Sequence, residues 1–268
     1  MNMLLGKTNS GQTGPSSIIN STAKFVNSPV INIPLTYFRH LKYGLNYLAS
    51  PPRYKTIFVD PNNIIYRQVP RFKKYEIIRG SHIKNGEWDK RYTGKKYIRT
   101  NDLEDEIDRR CIALYTNYGF HESLKNYINN GFLWKDTKYY QRCIKLGASE
   151  ESMQNEKQKV DYIYEDVKKK GYKTRQMISE KEGLNPPPEY DEIMVNIGRD
   201  GKLIHDDGRH RLSIAKILDL KKIPVRVFVR HEKWQRKRDK IRSVDNLDDS
   251  SEALAKYSQH PDIPDDWV

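Results

Sequence analysis

The chain has 268 residues, of which 37% are apolar and 31% charged, and no stretch approaches the roughly 20 apolar residues of a membrane-spanning helix. A transmembrane segment is therefore not expected. The 48 Lys and Arg outnumber the 35 Asp and Glu, and the formal net charge of +13 predicts an anionic partner such as a nucleotide or a nucleic acid. Cys111 and Cys143 are too few for a disulfide framework, so a reduced, cytoplasmic protein is expected.

Composition divides the chain into four segments. Residues 1–34, which begin with a stretch rich in Gly, Ser, Thr and Asn, are predicted to be a flexible N-terminal segment, and residues 35–150 an α/β extension. Residues 151–242 form the predicted core, and residues 243–268 an acidic C-terminal tail. The tail carries one Lys and 7 Asp and Glu, directly after a strongly basic block. It either neutralises that block or is a frayed terminus.

Apolar spacing and turn-forming residues predict the elements in chain order. Helices are indicated by apolar residues at helical spacing, and strands by short β-branched or aromatic runs between turn signals. The predicted helices cover residues 35–49, 102–130, 150–170 and 212–218, and the predicted strands cover residues 54–59, 64–69, 75–79, 192–197, 202–205 and 225–229. The segment 198–201, Gly-Arg-Asp-Gly, predicts a tight hairpin turn between two of these strands.

The densest chemical signal is a polar loop, Asp206–Arg211, at the start of a predicted helix. The first backbone N–H groups of a helix lack internal partners, and the helix dipole is positive there. Gly208 permits close backbone approach, while Arg209 and Arg211 supply planar forks that match phosphate oxygens. With His210 between the two arginines, the loop predicts a phosphate-binding site.

Two carboxylates precede this glycine. Asp206 and Asp207 are compatible with bound phosphate if they hold a divalent cation, orient the arginines or accept a proton from a hydroxyl group. Both are therefore candidate catalytic residues, and Asp207 is the candidate ligand of Mg²⁺.

The second half of the chain resembles the ParB/sulfiredoxin-like superfamily over residues 155–232. The elements that carry the resemblance are the helix Tyr162–Gly171, the strand Ile193–Ile197, the loop Asp207-Gly208-Arg209-His210-Arg211, the helix Leu212–Leu218 and the strand start Ile223-Pro224-Val225. The resemblance implies an α+β fold, with a small mixed sheet and helices in the core and an N-terminal α/β extension packed on it. It also implies that the loop binds the phosphates of ATP or CTP.

Members of this superfamily hydrolyse CTP in chromosome partitioning, reduce sulfinic acids with ATP, or phosphorylate a small hydroxyl compound. The partition proteins continue into a DNA-reading module, for which the roughly 37 residues after His231 leave no room. Sulfiredoxins place a Cys where this chain has Arg209. The phosphotransferase branch is therefore expected, and because its base can come from the helix before the core strands, Glu165 is a third catalytic candidate.

Two further pairs complete the predicted site. Arg230 and His231 follow the last predicted strand and are expected to contact a phosphate or a base ring; the alternative is a position at the surface edge of the sheet. Trp88 and Asp89 lie in a predicted loop and are expected to contact the acceptor substrate. The alternative is that Trp88 anchors this loop to the core.

The leading hypothesis is thus a nucleotide-dependent phosphotransferase, with ATP or CTP and Mg²⁺ as cofactors and a small or lipid-linked hydroxyl compound as substrate. The second hypothesis, which follows from the net charge, is a ParB-like DNA-binding protein or a nuclease. The third is a nucleotide sensor that binds phosphates without turnover.

Overall fold

The fold is described from a computed structural model. It describes residues 46–49, 51–52, 55–68, 82–91, 111–115, 119–183, 192–243 and 252–267. Leu48–Val268 form one compact unit, and Met1–Tyr47 form another, of which only Asn46 and Tyr47 are described. The predicted flexible segment 1–34 and the predicted strand 75–79 lie outside the described residues, as does most of the predicted helix 35–49.

The described strands all belong to one mixed sheet. They are β1 (Thr56–Val59), β2 (Tyr66–Gln68), β3 (Ile83–Lys84), β4 (Lys90–Arg91), β5 (Cys111–Leu114), β6 (Met194–Ile197), β7 (Leu203–Asp207) and β8 (Ile223–His231). The described α-helices are α1 (Gly119–Asn129), α2 (Lys138–Lys145), α3 (Glu150–Lys170), α4 (Arg175–Glu182), α5 (Arg209–Ile217), α6 (Glu232–Arg242) and α7 (Glu252–Ala255).

The strand order is β1-β8-β6-β7-β2-β5-β4, and β3 pairs with the end of β8. The central strands β6 and β8 run parallel, whereas β6 and β7 form an antiparallel hairpin around residues 198–201. A mixed sheet with helices confirms the predicted α+β class. Because β1, β2 and β5 come from the predicted extension and β6–β8 from the predicted core, the predicted boundary at residue 150 does not separate two folding units.

Helix α5 lies between two hydrophobic clusters. Its buried Leu212 packs with the sheet residues Ile193 and Val195 and with Trp234 of α6. Its Ile214 packs instead with Phe120 of α1 and with the α3 residues that face it. The start of α5 is therefore held where the end of β7 meets the helices α1–α3.

The prediction for residues 150–170 is confirmed by α3. Ser149 caps its start, because its hydroxyl accepts the backbone N–H of Ser152 at 3.1 Å, and acidic residues occupy the first turn. Lysines occupy the last turn, and the helix ends at Gly171, which has a φ of 71°. Each of these signals is local in sequence, so the boundaries could be predicted.

The prediction of a helix over residues 102–130 is corrected. Residues 111–114 form the strand β5, and the described helix begins only at Gly119. Ile112 is buried and pairs with Gln68 of β2, so tertiary burial in the sheet overrides the local helical pattern. Residues 102–110 lie outside the described part.

The described part of the acidic tail folds back onto the basic block. Asp262 is fully buried and forms a two-pronged ion pair with Arg230, at 2.6 and 2.9 Å, and a second ion pair with Arg238 of α6. Trp234 Nε1 donates to the same carboxylate at 2.9 Å. The described part of the tail therefore neutralises two buried arginines of the basic block, Arg230 and Arg238.

Candidate functional site

The polar loop is shorter in the structure than the sequence predicts. Strand β7 continues through Asp206 and Asp207, and α5 begins at Arg209, so Gly208 alone makes the turn. Its φ is 86°, and an added Cβ would lie 2.8 Å from Ile193 Cα. Only glycine fits this conformation and this contact, and it lets the strand lead directly into the helix.

The first turn of α5 carries three basic side chains, Arg209, His210 and Arg211. Gly208 is the N-cap and has no side chain to accept the first N–H groups of the helix. The carboxylate of Asp207 instead accepts the N–H of Gly208 itself, at 2.8 Å. The positive end of the helix dipole therefore adds to the charge of the side chains.

The carboxylate of Glu156 in α3 accepts hydrogen bonds from two of these side chains. Its Oε1 accepts hydrogen bonds from Arg209 Nη2 at 2.6 Å, from His210 Nε2 at 2.9 Å and from the Tyr139 hydroxyl at 3.3 Å. Burial alone would raise the pKa of Glu156, but the hydrogen bond from His210 and the charge of Arg209 lower it to about 2. Glu156 is therefore an anion at neutral pH, and its carboxylate lies at the start of α5.

The third basic side chain, Arg211, forms an ion pair with a different carboxylate. Arg211 Nη1 donates to Glu192 Oε2 at 3.1 Å, and the Glu192 side chain is buried just before β6. The Arg209 guanidinium lies 4.8 Å from the ring centre of Phe120 and makes a cation–π contact with it. Because 35% of the Arg209 side chain is still exposed, an anion from solvent can reach it.

Glu156→Gln is expected to flatten the acid dependence of stability. The pKa of Glu156 lies below its ordinary value of 4.5, so its contribution is fully present above pH 4.5 and is lost as the pH falls towards 2. Urea unfolding at pH 7, 5 and 3 should show a difference between wild type and variant that shrinks with pH. The control is Glu151→Gln, at an exposed position of the same helix. A difference that does not change between pH 7 and pH 3 would contradict this assignment.

A buried pair of hydroxyl groups fixes the position of the first turn of α5. The Tyr115 hydroxyl lies 2.9 Å from Ser213 Oγ and 3.4 Å from the backbone carbonyl of Arg209. The edge of the His205 ring packs against Tyr115. These contacts join the end of β5 to α5 and so fix the position of the three basic side chains.

The two predicted aspartates have different surroundings. Asp206 is buried, and Asn196 Nδ2 donates to it at 3.3 Å. Asp207 is exposed at the end of β7. They therefore do not form a carboxylate pair, and the described residues contain no group of three or more His, Cys, Asp or Glu that could hold a metal ion. One exposed carboxylate beside a phosphate site does fit Mg²⁺, because this ion binds through one or two carboxylates together with substrate phosphates.

The structure does not bring Glu165 to the loop. Its side chain is 52% exposed and pairs with Lys169 at 3.3 Å. It lies nine residues beyond Glu156, about 13 Å along the same helix. Glu156 of the same helix, and not Glu165, contacts the loop.

Arg230 and His231 lie at the other end of the sheet from the loop. Met194 of β6 pairs with Asp207, whereas Ile197, at the opposite end of β6, pairs with Arg230. Arg230 is buried against Asp262, and His231 Nε2 lies 2.8 Å from the carbonyl of Gly86. Because both side chains are buried and have these partners, the predicted contact with a phosphate is corrected, as is the alternative of a surface edge position.

Trp88 and Asp89 also lie at that far end. Trp88 is only 1% exposed and belongs to a core cluster with Ile204 and Val229. Asp89 pairs with Arg199 of the β6–β7 turn, at 2.6 Å. The structure thus supports the alternative that Trp88 anchors its loop, and the predicted contact of Trp88 and Asp89 with a substrate at the phosphate loop is corrected.

Glu156 and Glu192 were not predicted as site residues from the sequence. Glu156 had a detectable signal, because it lies on the buried stripe of α3 between Met153 and Val160, where a carboxylate needs a partner. Glu192 had none, since a carboxylate before a strand is common. The identity of both partners depends on contacts between residues far apart in sequence.

Comparison with protein-family models, curated proteins and solved structures found no match. The resemblance to the ParB/sulfiredoxin-like superfamily therefore stays a prediction from the motif residues. No described helix has both the length and the apolar character needed to cross a membrane.

Proposed function

We propose that the start of α5 binds the phosphates of ATP or CTP, and that the protein transfers a phosphoryl group to a small or lipid-linked hydroxyl compound. The observation that carries this proposal is the set of three basic side chains on the first turn of a helix whose N-cap is glycine. Fixed cations and backbone N–H groups at one point match the oxygens of a polyphosphate.

The carboxylates of Glu156 and Glu192 support the same proposal. They pair with the three basic side chains, and phosphate oxygens would replace them on binding. The side chains are thereby held near their binding positions, which reduces the entropy lost when a ligand arrives. Mg²⁺ held by Asp207 and the phosphates would neutralise charge on the transferred group.

In the proposed transfer, the acceptor hydroxyl oxygen attacks the terminal phosphorus. The bond from this phosphorus to the bridging oxygen breaks, which leaves a nucleoside diphosphate. The hydroxyl proton passes to the carboxylate of Glu156, which Arg209 and His210 release when they turn to the phosphates. Because these two residues lower the pKa of Glu156, their release makes the carboxylate a stronger base.

Arg211→Ala is expected to weaken binding of ATP or CTP by about tenfold or more, because it removes one charged donor of the phosphates. Isothermal titration calorimetry at 150 mM salt measures this effect. Lys181→Ala, at an exposed position of α4, is the matched control and should bind as the wild type does. Unchanged affinity in the Arg211 variant would overturn the proposed phosphate site.

Transfer is tested separately from binding. Wild-type protein with γ-labelled ATP and a panel of hydroxyl compounds should give a labelled product, and Glu156→Gln should bind nucleotide but lose most of the transfer. Binding without a labelled product for any compound would instead identify a nucleotide sensor.

A further inference from the structure

A second basic site lies between α6 and the C-terminal segment. It is a pocket of about 430 Å³, hereafter the basic pocket, lined by Leu254 and by the polar side chains of Lys233, Arg236, Lys237, Lys240, Lys256 and Tyr257. The opposite face of α6 buries Trp234, Arg238 and Ile241. The pocket therefore lies on the outer face of α6, away from the start of α5.

The cations of α6 are placed at positions that repel one another. Lys233, Arg236, Lys237 and Lys240 follow the spacing i, i+3, i+4 and i+7, so they share one face of the helix. Like charges at these spacings destabilise a helix. An anion bound between them would relieve this repulsion.

The described carboxylates relieve it only at Arg236. Arg236 is paired with Glu232 at 2.8 Å, but no described carboxylate forms an ion pair with any lysine of the basic pocket. The tail residue Asp262 is buried instead with Arg230 and Arg238 on the inner face of the helix. Among the described residues, the tail thus neutralises the inner face of α6 and forms no ion pair with the lysines of its outer face.

One of these lysines is already held in position. Lys237 Nζ donates to the carbonyl of Arg199 at 3.0 Å and to the Tyr257 hydroxyl at 2.9 Å. An ammonium group has three donors, so one remains for a ligand. The Nζ of Lys256 lies 5.0 Å from the centre of the Tyr257 ring, so a second ammonium group lies on the same side of the pocket.

We propose that the basic pocket binds a compact molecule that carries two or more adjacent phosphate groups. Its volume falls in the range of small-molecule sites, and the four pocket cations that α6 contributes span only about 10 Å of helix. A nucleic acid strand would need a longer track of charge. The shared chemistry has two sources, a soluble polyphosphate and the head group of a phosphorylated lipid.

Inositol hexakisphosphate is the soluble probe, titrated at 150 mM salt into full-length protein. The double variant Lys233→Ala/Lys240→Ala should bind it at least about tenfold more weakly, since each lost ammonium removes a charge-assisted contact. Lys159→Ala/Lys181→Ala, at exposed positions of α3 and α4, is the charge-matched control and should bind normally. Lys233→Arg/Lys240→Arg keeps the charge and should retain binding, which separates charge from misfolding.

Two further experiments identify the source of the ligand and the site at which it binds. Vesicles that contain phosphatidylinositol bisphosphate should bind the wild type more tightly than the alanine variant if the source is a lipid, and binding of the soluble probe alone identifies a soluble ligand; either result supports the pocket. Arg211→Ala should retain the probe binding that depends on Lys233 and Lys240, which distinguishes this site from the proposed nucleotide site. The proposal is overturned if the alanine variant binds the probe as the wild type does, or if a 30-nucleotide DNA strand binds these lysines more tightly than the probe.

Discussion

Replacing Asp262 by Asn is expected to lower the free energy of unfolding by about 3–5 kcal/mol, the usual effect of removing one partner of a buried ion pair. Asp262 is 0% exposed and contacts two buried guanidinium groups, those of Arg230 and Arg238. The substitution keeps the shape of the side chain but leaves these cations without their counter-charge. Burial alone would raise the pKa of Asp262, but the charges of Arg230 and Arg238 lower it well below the ordinary value.

Urea unfolding at pH 7 measures this loss, and Asp265→Asn, at an exposed position three residues further along the tail, is the control. Because the pKa of Asp262 is lowered on folding, its contribution is complete above the ordinary pKa of an aspartate and is lost only in strong acid. The wild type and the variant should therefore converge at low pH. A loss below about 1 kcal/mol at pH 7 would show that the tail is not fastened by this carboxylate.

Trp88→Ala is expected to destabilise the protein by a similar amount, about 3–5 kcal/mol, the usual loss when a buried aromatic side chain is truncated. Its ring fills the core between the sheet residues Ile112 and Val229, and its Nε1 donates to the carbonyl of Lys84. Removing the ring leaves a cavity that the short strands around it cannot close. Thermal or urea unfolding measures the loss.

The conservative variant Trp88→Phe distinguishes a core residue from a substrate contact. It restores much of the apolar volume, so it should recover most of the stability lost in Trp88→Ala. Neither variant should change nucleotide affinity while the protein remains folded, because Trp88 lies at the opposite end of β6 from Gly208. A folded Trp88→Ala protein of normal stability that has lost phosphoryl transfer would restore the substrate role expected from the sequence.

Local signals account for the parts of the fold that could be predicted. The caps of α3, the hairpin at residues 198–201 and the glycine turn before α5 each depend on residues close in sequence. The helix α6 was missed because its charged outer face conceals a buried face, with Trp234 and Ile241 spaced seven residues apart. The strand β5 was missed because its burial depends on pairing with β2.

The part of the candidate site that lies in one short segment could be predicted from the sequence. Gly208, Arg209, His210 and Arg211 lie together at the start of α5, as the sequence indicated. Outside it, at the opposite end of β6 and about 10 Å away, lie Trp88, Asp89, Arg230 and His231. Glu165 lies about 13 Å from Glu156 along α3. Only the folded chain shows that Glu156, 53 residues before Arg209, meets the loop.

The central claim is that phosphates bind at the start of α5, and the most direct measurement is a crystal structure with a non-hydrolysable triphosphate analogue. We expect phosphate oxygens within hydrogen-bond distance of the Arg211 guanidinium and of the first backbone N–H groups of α5, with Glu156 displaced from Arg209. Phosphates seated only in the basic pocket, with Glu156 still bound to Arg209 and His210, would contradict it.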